Sequence, residues 1–144
     1  MSVVAGVDGS PESRAALRFA IEEARARRCV VRAVHAWHVP PLAYGGGAPL
    51  PGDFVEGLEK ESRLLLREAV AEVAPMLEGV VVHEISTEGD AGRVLVAESD
   101  HAELLVLGSR GHGALGELVL GSVGRYCCHH ARCPVTVIPH RRKL

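Results

Sequence analysis

The residues best suited to chemistry form a glycine-rich run, Gly108-Ser109-Arg110-Gly111-His112-Gly113, and nine residues separate Gly111 from a second run, Gly121-Ser122-Val123. Glycine has no Cβ, so the backbone amides of such a run can approach a ligand and point at it together. An apolar segment, Leu104 to Leu107, precedes the run, and Ser122 stands where the N-cap of the next helix is expected. Free amides and the positive end of a helix dipole bind anions, and several such groups suit a phosphate chain. The pattern predicts an anion site between a strand and a helix.

Two better-known glycine motifs do not fit this region. Residues 111–116 spell G-x-G-x-x-G, but the dinucleotide fingerprint belongs at the first strand-helix turn and is followed by a second strand ending in an acidic residue. Residues 116–122 resemble G-x-x-x-x-G-K-S without its lysine, because Ser122 follows Gly121 directly. A Rossmann dehydrogenase and a P-loop ATPase are therefore disfavoured.

The elements that must position this run alternate along the chain. Apolar, valine-rich segments predict parallel strands, and apolar residues at helical spacing predict the helices between them. This alternation predicts an α/β fold, an open five-stranded parallel sheet with helices on both faces. Ligands in such sheets lie beyond the carboxyl ends of the strands, where Asp8 and the glycine run would both open. The predicted strands are Ser2–Val7, Cys29–Trp37, Val80–Ser86, Leu104–Leu107 and Val135–Ile138, and the predicted helices begin at Ser10, Phe54, Ala91 and Ser122.

Length and composition limit the other possibilities. The 144 residues predict a single domain, residues 1–144, with a core of Val, Leu and Ala, since 47% of the chain is hydrophobic and only 3% aromatic. The net charge of −2 argues against binding nucleic acid by bulk electrostatics. No apolar run approaches the roughly 20 residues of a membrane span, and no signal sequence opens the chain, so we expect a cytoplasmic protein without a membrane partner.

Two segments are expected to lack regular structure. Residues 40–53 are rich in proline and glycine, which predicts a long flexible loop of the kind that often carries function. Residues 140–144 form a short basic tail that we expect to be solvated.

The spacing G-x-x-G, nine residues, G-[ST] at Gly108, Gly111, Gly121 and Ser122 resembles the universal stress protein family in its ATP-binding branch. The resemblance extends from Val4-Ala5-Gly6-Val7-Asp8-Gly9-Ser10 to Pro134-Val135-Thr136-Val137-Ile138-Pro139. It implies a Rossmann-like fold related to the adenine nucleotide alpha hydrolases. It also implies a small nucleotide-binding sensor of the stress response that forms a homodimer through the last strand, Val135–Ile138.

The resemblance also implies roles for individual residues. Adenine and ribose would border Val7, Asp8 and Ala36, and the cofactor would be ATP with Mg²⁺. Asp8 would accept a ribose hydroxyl or face a phosphate-bound Mg²⁺. The residues that would hold the phosphates are Gly108, Gly111, Gly121, Ser122 and Val123, with Arg110 offering a positive charge.

Each of these residues also has a plainer interpretation. Asp8 could cap the nearby helix, the glycines could form a tight turn without a ligand, and Arg110 could face solvent. The chain also departs from the family at Gly124, which stands where the family commonly has a second hydroxyl, so one phosphate hydrogen bond is expected to be missing.

The run Cys127-Cys128-His129-His130, with Cys133 beyond it, suggests a metal site only at first sight. On a helix Cys127 and His130 would share a face that points away from His129 and Cys133, so no tetrahedral centre collects them. We expect no protein-only metal site, and we expect the four cysteines to be reduced and buried. His35 and His83 lie in strands and are interpreted as structural histidines.

Catalysis is not expected beyond slow ATP hydrolysis. Rapid phosphoryl transfer needs a positioned base and charge neutralisation at the leaving oxygen, and no base pair, Walker lysine or acid lies beside the run. Two alternatives to a nucleotide-binding sensor stay open: a nucleotide-free protein-interaction module of the same fold, and a true nucleotide hydrolase.

Overall fold

The computed structural model describes residues 1–40, 51–109 and 120–139. Strands and helices alternate through these residues, as the sequence pattern predicts. The elements are β1 Ser2–Gly6, α1 Pro11–Arg27, β2 Val30–Trp37, α2 Gly52–Glu72, β3 Val82–Glu88, α3 Ala91–Glu98, β4 Leu104–Gly108, α4 Ser122–His130 and β5 Val135–Ile138, with a 3₁₀ turn at Ala74–Met76 after α2.

The five strands form one parallel sheet in the order β3-β2-β1-β4-β5. Val3 of β1 pairs with Val31 of β2 on one side and with Leu104 of β4 on the other. The chain adds strands outward in one direction from β1 to β3 and then in the other direction from β4 to β5. The switch point therefore lies between β1 and β4, and the open parallel sheet of the expected α/β fold is confirmed.

Helices cover both faces of the sheet. The larger core cluster joins β1 and β2 to α1 and α2 and includes Leu17, Ile21 and Leu66, all nearly inaccessible to solvent. The smaller cluster, on the other face, joins the sheet to α3 and α4 through Leu95 and Cys127. Each large buried aliphatic side chain contributes about 2 kcal/mol relative to exposure, so these two clusters hold the strand ends in place.

Helix α1 begins beside the end of β1 through a set of local hydrogen bonds. Ser10 is its N-cap and accepts the amide of Ser13 at 3.1 Å, and Pro11 occupies the first turn, where its missing N–H costs nothing. The helix ends at Arg27, and the left-handed conformation of its C-cap, Arg28 (φ 56°), directs the chain back toward the sheet. The predicted opening of this helix at Ser10-Pro11 is confirmed.

Several predicted boundaries are wrong by a few residues. Helix α2 begins at Gly52 with Pro51 as its cap, so residues 52 and 53 of the expected loop are helical, and residues 41–50 lie outside the described residues. Strand β3 covers Val82–Glu88 rather than Val80–Ser86, because the chain still turns at Gly79, which has a positive φ of 86°. Residues 140–144 also lie outside the described residues.

The helical spacing of Leu58, Leu65, Ala69 and Val73 predicts the apolar stripe of α2, and Ala69 and Val73 are buried as predicted. Leu58 and Leu65 are only partly buried, and Ser62 and Leu66 are buried instead. The sheet therefore receives a serine in the middle of the helix face that packs against it. Among the described segments, no helix has the length and apolar character needed to cross a bilayer.

Candidate functional site

The carboxyl ends of β1 and β4 lie side by side at the switch point of the sheet. Asp8 follows β1, and Gly108 is the last residue of β4. A Cβ at Gly108 would lie 2.7 Å from Cβ of Glu12 and 2.8 Å from its carbonyl carbon, in the first turn of α1. Gly108 is therefore required for the close approach of α1 to β4, which is a packing reason that sequence spacing alone does not reveal.

Asp8 is held by the turn that leads into α1. Its Oδ1 accepts the amide of Ser10 at 2.9 Å, and its own amide donates to Oγ of Ser13 at 3.3 Å. The carboxylate thus stabilises the start of the helix, as the plainer interpretation of Asp8 expects. This orientation also fixes the carboxylate at the strand end where a ligand would lie.

Val7 and Ala36 lie at the neighbouring ends of β1 and β2 but on opposite faces of the sheet. Val7 is 3% exposed, packs in the larger core cluster, and donates its amide to the carbonyl of Val34 at 2.8 Å. Ala36 is partly buried beside the smaller cluster and pairs with Thr87 of β3. Contact of Val7 with an adenine ring is therefore restricted to its backbone and a small part of its side chain.

The start of α4 offers consecutive amide groups. Gly121 is the N-cap, and its amide donates to the carbonyl of Ser109 at 3.0 Å, so it is already used. The next three amides are those of Ser122, Val123 and Gly124, in the first turn of α4, where amides have no acceptor within the helix. These amides have no hydrogen-bond partner among the described residues. These donors, together with the positive end of the helix dipole, fit a phosphate group.

The expected capping role of Ser122 is wrong. Ser122 is the first residue of α4, its side chain is exposed, and the cap at Gly121 makes no side-chain hydrogen bond. The physical reason is that the extended residue before the helix is Gly121, with φ −61° and ψ 165°. Ser122 therefore brings both an amide and a hydroxyl to the same end of the helix. Arg110 and Gly111 lie outside the described residues.

The packing around Gly124 gives a physical reason for its departure from the family pattern. A Cβ at this position would lie 2.7 Å from Cδ1 of Leu120, and the residue is buried. A serine or threonine here would require the side chain of Leu120 to shift. The missing hydroxyl is thus matched by the packing of the leucine just before the helix.

His35 belongs to a polar cluster that sequence analysis did not assemble. Its Nδ1 lies 2.6 Å from Oγ of Ser62 in α2, and that oxygen lies 2.7 Å from Oγ of Ser86 in β3. Burial lowers the pKa of His35, and the charge of Asp8 opposes the shift. The interpretation of His35 as a structural histidine is confirmed, whereas His83 is exposed. The one sequence feature that indicates this cluster is Ser62, a polar residue on the buried side of an amphipathic helix.

Trp37 carries a second polar atom that sequence analysis missed. The residue ends β2, its Nε1 is buried, and it has no hydrogen-bond partner within the described part of the chain. Its carbonyl accepts the amide of Gly89 at 2.8 Å, which closes the end of β2 onto β3. An indole N–H can only donate, so Nε1 of Trp37 remains able to donate a hydrogen bond at the end of β2.

The four cysteines differ in burial, whereas all four were expected to be buried. Only Cys127 is buried, Cys128 is exposed, and Cys29 and Cys133 are intermediate, all with free thiols. Burial raises the pKa of Cys127 to about 11. Helix α4 ends at His130, so Cys133 is not on the helix, and no group of three potential metal ligands occurs among the described residues.

The comparisons with known proteins agree in family and fold. The profile of the Universal stress protein family matches residues 1–139. A universal stress protein of Mycobacterium tuberculosis is 36% identical over 135 residues, which cover 94% of this chain and 44% of the relative. One from Mycolicibacterium smegmatis is 32% identical and is covered over 47% of its length. The chain thus spans about half the length of the curated relatives it matches.

Solved structures extend this likeness to the arrangement of the elements. The universal stress protein from Archaeoglobus fulgidus in complex with dAMP has a TM-score of 0.67 and 31% identity, covering 96% of this chain and 97% of that one. A structure with 19% identity, described as a hypothetical protein, MJ0577, has a TM-score of 0.75 over 99% of this chain and 97% of that one, which supports the fold alone. From its sequence, its sheet and these matches, the chain belongs to the universal stress protein family.

Proposed function

We propose that this protein binds ATP with Mg²⁺ at the carboxyl ends of β1, β2 and β4. The observation that carries the proposal is the start of α4, where the amides of Ser122, Val123 and Gly124 open beside the strand end that holds Asp8. A phosphate chain matches this donor set better than a neutral ligand does, because both the amides and the helix dipole favour negative charge. The dAMP complex of the Archaeoglobus fulgidus relative adds support for an adenine nucleotide.

The nucleotide would lie across the switch point with its base toward β2. In this arrangement Asp8 would accept a ribose hydroxyl or face the Mg²⁺ that enters with the phosphates. The amide of Gly121 is bonded to Ser109, so Gly121 acts by ending the loop at the helix and not as a donor. The proposed contacts are Val7, Asp8 and Ala36 for the nucleoside, and Gly108, Arg110, Gly111, Gly121, Ser122 and Val123 for the phosphates.

We further propose that the protein works as a homodimeric sensor in the cytoplasm, where bound nucleotide alters its surface in the stress response. Strand β5 is at one edge of the sheet and pairs with β4 on one side only within the described residues. Edge strands expose backbone groups that pair readily with a second strand. Residues 40–53 and the glycine run are the segments whose arrangement the nucleotide would change.

Mass spectrometry of the denatured, purified protein tests nucleotide binding directly. We expect ATP to be released, whereas ADP or AMP would indicate turnover, and the absence of any nucleotide would favour a nucleotide-free interaction module. Calorimetry with ATP, AMP and cyclic AMP then gives the preference among adenine nucleotides.

Substitution of two glycines tests where the phosphates bind. In the double variant Gly111→Val, Gly121→Val the branched side chains are expected to fill the space of the phosphates and to abolish measurable ATP binding. Gly57→Val is the matched control, because a Cβ at Gly57 has no atom within 4 Å. Unchanged ATP affinity in a folded double variant would refute the placement.

A further inference from the structure

Glu12 is an acidic residue that the fold brings to the start of the glycine run. It lies in the first turn of α1, and a Cβ at Gly108 would lie 2.7 Å from its Cβ and 3.1 Å from its carbonyl oxygen. Gly108 is the last residue of β4 and the first of the run. The sequence places no acidic residue beside the run, and this expectation is wrong because α1 packs directly on the end of β4.

Asp8 borders the same strand end from the neighbouring strand. In the parallel register of β1 and β4, Ala5 pairs with Val106, so Asp8 comes level with Ser109 where the two strands end. Glu12 follows Asp8 by one helical turn, in the helix that the turn after β1 begins. The end of β4 therefore has two acidic residues beside it, one after β1 and one in α1.

The start of α4 approaches this strand end from the other face of the sheet. The amide of Gly121 donates to the carbonyl of Ser109 at 3.0 Å, which places the first turn of α4 next to the residue that follows Gly108. Helix α1 packs in the larger core cluster and α4 in the smaller one, so the two helix starts flank the end of β4. A phosphate chain at the amides of α4 would thus have backbone donors on one side and Glu12 on the other.

A carboxylate beside a phosphate chain has opposite effects with and without a metal ion. The negative charges of the carboxylate and the phosphates repel each other, and this repulsion is only partly screened at a half-buried residue such as Glu12. Mg²⁺ reverses the effect, because it is commonly bound by one or two carboxylates together with substrate phosphates. The position of Glu12 therefore favours a nucleotide that carries its metal ion over the same nucleotide without it.

We propose that Glu12 is a specificity-determining residue of the nucleotide site, whose carboxylate faces the Mg²⁺ that accompanies the phosphates and repels phosphates that carry no metal ion. The inference rests on the proposed function, since it concerns which form of ATP that site accepts. It adds a second carboxylate to Asp8, from a different element of the fold. It also gives the close packing of Gly108 against α1 a functional consequence.

The competing role of Glu12 is purely structural. An acidic residue in the first turn of a helix interacts favourably with the helix dipole, and this stabilises α1 whether or not a nucleotide binds. A structural role affects the free energy of unfolding but not the choice between MgATP and metal-free ATP. The ratio of the two affinities therefore separates the two roles.

Calorimetry with MgATP, and with ATP in the presence of EDTA, measures this ratio. Glu12→Gln keeps the size of the side chain and removes its charge, so we expect metal-free ATP to bind about tenfold more tightly to this variant than to the wild type. A gain of affinity is informative because damage to the fold would only weaken binding. Glu12→Asp keeps a carboxylate and should keep the preference for MgATP.

Glu22→Gln is the matched control on the same helix. It removes an identical charge from an exposed position of α1 that lies roughly 15 Å further along the helix axis. This separation exceeds the Debye length of about 8 Å at physiological ionic strength, so both forms of ATP should bind to Glu22→Gln as they do to the wild type.

Thermal unfolding without nucleotide establishes that each variant is folded before affinities are compared. An unchanged affinity ratio in Glu12→Gln, or an equal change in Glu22→Gln, would overturn the role of Glu12 and leave the nucleotide site in place. A wild-type protein that binds neither form of ATP would instead contradict the proposed function. The two failures are therefore distinguishable.

Discussion

The amide of Gly121 donates a 3.0 Å hydrogen bond to the carbonyl oxygen of Ser109, while the amide of Ser109 donates to Ile138 at 2.8 Å. These two bonds join the end of β4, the end of β5 and the start of α4. The N-terminus of α4 is thus fixed to the ends of β4 and β5. A helix end that is held in this way can receive phosphates with little reorganisation, which favours binding.

The packing of Gly124 against Leu120 predicts a penalty for restoring the family hydroxyl. We expect Gly124→Ser to lower the free energy of unfolding by about 1 kcal/mol, because its Cβ would lie 2.7 Å from Cδ1 of Leu120 and that flexible side chain would have to shift. Combining it with Leu120→Ala should remove most of that penalty, so urea unfolding of the double-mutant cycle should show favourable coupling. Additive effects of the two substitutions would contradict this packing account.

The geometry of β5 predicts a single substitution that separates the proposed homodimer. The bonds from Leu105 to Pro134 and from Ser109 to Ile138 show that the even-numbered carbonyls of β5 face β4, so the amide and carbonyl of Val137 face outward. Proline has no amide proton and is tolerated at strand edges. Val137→Pro should therefore yield a folded monomer in size-exclusion chromatography with light scattering.

The opposite edge of the sheet supplies the control. Val31 donates to Val81, so the even-numbered residues of β3 face away from β2, and Glu84 is the equivalent outward position. Glu84→Pro should leave the dimer intact. A dimer that survives Val137→Pro, or that is lost equally in Glu84→Pro, would exclude pairing through β5.

Burial of Cys127 predicts a loss of stability in alkaline solution. The pKa is raised from 9.0 to about 11, so the folded state disfavours the thiolate. The contribution to stability is complete below pH 9 and is lost as the pH rises from 9 to 11, by about 2–3 kcal/mol. Urea unfolding at several pH values should show this loss in the wild type and a smaller one in Cys127→Ala. Parallel pH profiles for the two proteins would contradict it.

The sequence predicts the fold well because its signals are local. Valine-rich strands, the Ser10-Pro11 helix start and the order of elements all follow from short segments, and the structure confirms them. The boundaries of β3 and α2 depend on the turn at Gly79 and the cap at Pro51, where composition is a weaker guide. The buried face of α2 includes Ser62, which apolar spacing does not indicate because its burial depends on hydrogen bonds to His35 and Ser86.

The candidate site is only partly predictable, since its residues act through partners distant in sequence. The spacing from Gly108 to Ser122 identifies the loop and the helix start, yet the contact of Gly108 with Glu12 and the bond from Gly121 to Ser109 appear only in three dimensions. His35 is a plausible structural histidine from sequence, but its connection to two serines depends on the packing of α2 across β2 and β3. Side-chain networks of this kind leave no periodic signal.

The most direct test of the account is the ATP affinity of Ser122→Pro, measured by calorimetry beside Ser122→Ala. Proline suits the first position of a helix, and Gly121 already has the extended conformation that precedes proline, so α4 should persist while one amide donor is removed. We predict at least about a tenfold loss of MgATP affinity in Ser122→Pro and a smaller loss in Ser122→Ala, with stability unchanged in both. Wild-type affinity in a folded Ser122→Pro would contradict the claim that the amides at the start of α4 bind the phosphates.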